Sequence, residues 1–119
     1  VVTSCGFDSY SHYMRGNLSG WIQERYLPRF ENYRGRPAEI PFDFHELIAS
    51  LAPRAFFASA PKGDANFRWQ SVASIEAAVR PVYALWKASA RLRFLHPESA
   101  HRFPREVREE AYAFLEKEL

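Results

Sequence analysis

Three short apolar runs, each followed by a stretch of different character, restrict this chain to very few architectures. They are "VVTSC" at 1–5, "RAFFASAP" at 54–61 and "RLRFLHP" at 91–97. Each is too short for a helix, and the latter two end in proline, so all three read as buried strands. After the second run, Val72, Ile75, Val79, Val82, Tyr83 and Trp86 recur at spacings of three and four, one face of a helix over 69–90. Pro81 falls inside it and should kink or split it. After the third run, "PREVREEAYAFLEKEL" puts Val107, Ala111, Phe114 and Leu115 on one stripe, with Pro104 suited to the first helical position. Before the second run, Asp43 and Glu46 form a capping box opening a short helix in "HELIASLA", which Pro53 ends.

Strands alternating with helices imply right-handed crossovers and a parallel sheet, hence an α/β fold with three parallel strands. The exception to the rhythm is 6–40, an aromatic-rich irregular excursion carrying four of the chain's five glycines. One or two short helices are expected in it, one of them over 18–26. A three-stranded parallel sheet with helices on one side leaves its other face bare. That deficit, and an opening that reads as a start inside a strand, lead us to expect a single partial domain over 1–119, the C-terminal portion of a larger one.

Composition removes several function classes. The chain is 47% hydrophobic, too apolar for a disordered tail. Its 16 basic and 14 acidic residues are nearly balanced, and the basic ones are scattered, so nucleic acid is not an expected partner. No apolar run reaches the roughly 18 residues of a membrane helix. The compartment is left open. Cys5 is the one cysteine, which excludes an internal disulfide and a thiolate cluster. With no histidine pair at helical spacing and no Asp/Asn-rich loop, neither a metal nor a cofactor is expected.

In a parallel sheet every strand-to-helix loop leaves at the carboxyl edge. "KGDANF" follows the second strand and "ESAHRF" the third. If those strands are neighbours, Asp64 and His101 meet. A carboxylate beside an imidazole fixes its tautomer and stabilises the imidazolium. Asp64 reads equally well as the cap of the next helix, and His101 as a solvated loop residue. His96, at a strand end before Pro97, should be packed and hydrogen-bonded. His12 and His45 read as structural or solvent-facing. No Gly-x-Ser-x-Gly elbow occurs. Ser19 follows no strand. Cys5 ends one, in "SCGF", but with no basic neighbour in sequence it reads as a buried structural thiol.

Two segments, "PFDFHELIASLAPRAFFASAPKGDANF" and "HPESAHRFPREVREEAYAFLEKEL", resemble the C-terminal half of an α/β-hydrolase, near the dienelactone hydrolase and acetyl xylan esterase-like branch. The resemblance implies that Asp64 is the acid and His101 the base of a Ser-Asp-His triad, with the nucleophile elbow upstream of this sequence. It also implies that "GFDSYSHYMRGNLSGW" shapes the substrate pocket, with Tyr10, Tyr13, Trp21 and Tyr26 near it. The expected activity is that of a serine hydrolase, a carboxylesterase acting on a small or carbohydrate-linked ester. A peptidase of the same fold would use the same acid and base. The alternative from a different class is a non-catalytic module that binds a carbohydrate or a partner chain through its aromatic segment. Self-association of such a half-sheet is a further expectation.

Overall fold

The computed structural model describes residues 1–118. Strands β1 (Val2–Ser4), β2 (Phe56–Ser59) and β3 (Leu92–Leu95) form one parallel sheet in the order β1-β2-β3. Val2 pairs with Phe57, and Phe57 with Arg93, so the carboxyl ends of all the strands lie at one edge.

Helices α1 (Phe44–Ala49) and α2 (Trp69–Leu85) share one face of the sheet, and α3 (Arg105–Glu116) covers the other. The expectation that helices lie on one side is therefore corrected. Successive residues of β2 point opposite ways. Phe56 and Ala58 pack with Ile48, Val72, Ile75 and Val79, while Phe57 packs against Val107 and Ala111. β2 is the central strand, and all four of its residues are buried.

The capping box opens α1 as its sequence requires. Phe44 N donates to Asp43 Oδ1 at 2.7 Å, and Asp43 N donates to Glu46 Oε2 at 2.7 Å. α2 runs through Pro81 unbroken. Both Pro81 and Ala77, whose carbonyl loses its partner, are exposed, so the freed group lies on the solvent side of the helix. Pro104 caps α3 from just outside instead of beginning it.

The excursion forms 3-10 turns at Tyr13–Gly16, Leu18–Gly20, Pro28–Tyr33 and Pro37–Glu39. The helix expected over 18–26 is one such turn, capped by Asn17 onto Ser19 N at 3.0 Å and closed by Leu27 N donating to Trp21 O at 2.9 Å. What orders this segment is a second apolar cluster around Tyr10, Leu18, Phe30 and Ile40. Tyr10 N donates to Asp43 Oδ2 at 3.1 Å, which ties the cluster to the start of α1.

Candidate active site

The loops that leave β2 and β3 do not diverge at once. Ala60 N donates to Leu95 O (2.8 Å), Lys62 N to Pro97 O (3.0 Å) and Gly63 N to Ser99 O (3.0 Å). Backbone pairing thus continues beyond the sheet and carries the two loops side by side. Gly63 permits it, because a Cβ there would lie 2.9 Å from the Ser99 carbonyl oxygen. The next residue on one loop is Asp64, and two positions beyond Ser99 on the other is His101.

His101 Nδ1 lies 3.0 Å from both carboxylate oxygens of Asp64. The Asp64 side chain is 1% exposed and the His101 side chain 46%. Asp64 is also a loop cap, accepting from Asn66 N at 2.7 Å and Phe67 N at 3.2 Å. The expectation that Asp64 caps the next helix is corrected, because α2 begins at Trp69 with Arg68 as its N-cap and no side-chain cap; the one carboxylate serves the loop turn and the imidazole together. Burial pushes its carboxyl up, but the Asn66 and Phe67 N–H groups and His101 outweigh it and hold the carboxyl below its ordinary value. An ionised Asp64 makes Nδ1 the protonated ring nitrogen and leaves the lone pair on Nε2, on the far side of the ring. Phe67 stacks on that ring, with centroids 6.0 Å apart and planes at 29°.

His101 faces a cleft of about 390 Å³. Tyr13, Trp21 and Tyr26 line it, together with Cys5, Gly6, Gly20, Gln23, Arg25, Asn66 and Phe67. Tyr10 does not. It is 1% exposed and packs edge-on against Phe30, with ring centroids 4.8 Å apart, behind Trp21. Its place in the site is to support the wall, not to meet a ligand. His96 is packed as expected, with Nδ1 3.0 Å from Ala60 O. His12 bonds Ser9 Oγ at 2.6 Å, and the half-exposed His45 lies beside Glu46.

Four cleft residues carried no sequence signal of their own: Gln23, Arg25, Asn66 and Phe67. Phe67 had one nearby, three positions from Asp64 in the same short loop. The Arg25 guanidinium stacks over Tyr26 at 5.1 Å and its Nε donates to Gln23 Oε1 at 3.1 Å, placing a cation on the rim. Cys5 also reaches the cleft. Its φ of 52° is left-handed, its N donates to Ser59 O at 2.9 Å, and its thiol donates to Arg102 O at 3.5 Å. Burial pushes the thiol up, and the negative Asp64 adds to that against the lowering hydrogen bond of Ser4. A thiol so held is protonated, which fits a structural group better than a nucleophile. Among the described residues, no serine lines the cleft.

A parallel sheet with helices on both faces is an α/β arrangement, and here it matches part of the α/β-hydrolase fold. No family model and no curated protein sequence matches the chain. Solved structures do. A carbohydrate esterase family 15 glucuronoyl esterase from Caldicellulosiruptor kristjansonii is similar over 100% of this chain and 36% of its own, at 19% identity and a TM-score of 0.80. A glucuronoyl esterase from Solibacter usitatus matches 98% of this chain and 35% of its own, at 17% identity and a TM-score of 0.76. A further structure of a glucuronoyl esterase from that organism matches 98% and 36%, at 17% identity and a TM-score of 0.71. The chain spans about a third of the length of these structures.

Proposed function

We propose that this chain supplies the acid and base of a Ser-Asp-His serine hydrolase, a carboxylesterase acting on carbohydrate-linked esters, with the nucleophile contributed by sequence outside these 119 residues. The observation that carries the reading is the contact of 3.0 Å between His101 Nδ1 and the Asp64 carboxylate. In this reading Nε2 takes the serine proton and returns it to the leaving alcohol, while Asp64 holds the tautomer and stabilises the imidazolium. The aromatic wall of Tyr13, Trp21 and Tyr26 suits a sugar ring, whose C–H faces stack on aromatic surfaces. Glucuronoyl esterases of the same fold make a glucuronate ester the first substrate to assay. A peptidase would use the same pair.

The test is hydrolysis of an alkyl glucuronate ester by the full hydrolase containing this chain. His101→Ala should lower kcat by about 1,000-fold or more. Full activity in that variant would sink the proposal.

The same aromatic wall favours a second reading, a carbohydrate-binding module without catalysis. It predicts that His101→Ala leaves sugar affinity intact and that Trp21→Ala abolishes it, with no turnover in either protein.

A further inference from the structure

Cys5, Asp64 and His101 come from three elements, yet they bring a thiol, a carboxylate and an imidazole together. One donor atom from each, Sγ, a carboxylate oxygen and a ring nitrogen, lies within 4.8 Å of the others. We propose that these three residues form a binding site for one thiophilic divalent cation of the zinc class, at the floor of the cleft.

The donor set is the first argument. Sulfur, nitrogen and oxygen ligands together suit a borderline-soft ion such as Zn²⁺ or Co²⁺, and they exclude Ca²⁺ and Mg²⁺, which take oxygen alone. Three protein ligands and one open position are the arrangement of a zinc site that also meets solvent. Here the open position is the cleft, into which His101 is 46% exposed.

Distance is the second. In a tetrahedral zinc site, bonds of about 2.0–2.1 Å to nitrogen and oxygen place those two donors roughly 3.3 Å apart. Here Nδ1 and the carboxylate oxygens are 3.0 Å apart. Sulfur would settle roughly 3.6 Å from each, against a present separation of at most 4.8 Å, so Sγ must close by at most about 1.2 Å through a χ1 rotation.

Preorganisation is the third. Asp64 Oδ1 is occupied by the Asn66 and Phe67 N–H groups, whereas Oδ2 takes no backbone N–H and faces His101. The left-handed backbone of Cys5 is pinned to β2 through Ser59 O.

The proton balance follows. Nδ1 is the nitrogen that faces Asp64, so a cation shared by ring and carboxylate replaces the Nδ1 proton. The ring takes its Nε2–H tautomer, and Cys5 releases its thiol proton to solvent, one proton per cation bound. Resting on the hydrolase reading, this has a regulatory consequence: Nε2 then carries a proton and no lone pair, so the bound cation disables the base.

The experiment is a Co²⁺ titration of the full chain followed by absorption, with Zn²⁺ as competitor. One Co²⁺ per chain, a thiolate-to-metal charge-transfer band and displacement by Zn²⁺ are expected. The band should vanish in Cys5→Ser, and affinity should fall at least tenfold in His101→Gln, a substitution at an exposed position. Absence of the thiolate band in the wild type, or unchanged affinity in His101→Gln, would overturn the proposal. Neither result touches the hydrolase reading, because the readout is binding. Ester hydrolysis surviving His101→Ala would remove that reading and leave the cation site standing.

Discussion

His101 Nδ1 sits 3.0 Å from both oxygens of an Asp64 carboxylate that is 37 residues away and almost wholly buried. The imidazole is half in solvent, and its partner is not. An exposed ion pair contributes little to stability. A buried carboxylate that already accepts two backbone N–H groups gives the ring a fixed anchor at no further cost in mobility. This geometry separates what Asp64 does for the fold from what it does for the ring.

Asp64→Asn tests that separation. The amide oxygen can still accept from Asn66 and Phe67, so the variant should stay folded. The NH₂ then takes the Oδ2 position and offers Nδ1 a donor in place of an acceptor, which favours the wrong tautomer, and kcat of the proposed hydrolase should fall by about 10,000-fold. Asp64→Ala should in addition lose about 1–3 kcal/mol of stability, because the two N–H groups lose their acceptor. Thermal denaturation beside steady-state kinetics checks both. Equal activity in Asp64→Asn and wild type would refute the orienting role.

The lowered Asp64 carboxyl makes a pH prediction. A carboxyl whose folded pKa lies below its unfolded value of about 4 stabilises the fold above that value. The contribution is lost as the pH falls through the lowered pKa. The stability gap between wild type and Asp64→Asn should therefore be constant near neutrality and shrink in acid. Urea midpoints at several pH values measure it, and a gap that does not narrow would contradict the stated shift.

Tyr10 is a packing residue with a buried hydroxyl that has no hydrogen-bond partner among the described residues. Burial, then Asp43 and Glu46, hold that hydroxyl protonated well above its usual range. Tyr10→Phe should be neutral or stabilising by up to ~1 kcal/mol, since it removes an unsatisfied polar atom. Tyr10→Ala should cost about 3–5 kcal/mol, because the rings of Phe30, Phe42 and Phe44 lose their common centre. Destabilisation by Tyr10→Phe would mean the hydroxyl has a partner after all.

Gly63 allows the loops after β2 and β3 to touch. Alanine there must push the Ser99 carbonyl away, since backbone offers no flexible end to yield. The loops should part by a few tenths of an ångström and the Asp64 and His101 contact should lengthen. We expect kcat/KM to fall about tenfold or more with a small change in melting temperature. Proton NMR of the His101 Nδ1–H reads the contact directly, and an unmoved resonance would exclude this route.

Much of this protein is written locally. The apolar runs around Phe57 and Phe94, the stripe from Val72 to Tyr83 and the capping box of Asp43 and Glu46 are set by neighbours within a few positions. Periodicity and turn chemistry act over that range, so strands, helices and the parallel order follow from sequence. The chemistry of Asp64 and His101 was legible as two polar residues in loops after adjacent strands. Tertiary structure decided the rest. The 6–40 segment has no period, so nothing local told Tyr10, which turns into the core, from Tyr13, which turns to the cleft. Nothing local brought Cys5 to His101 either, because only the register of β1 on β2 and the backbone pairing beyond β2 and β3 carry those three chain segments to one point. Side-chain direction in an irregular segment, and the meeting of distant loops, are set by long-range packing and register, which no short window of sequence contains.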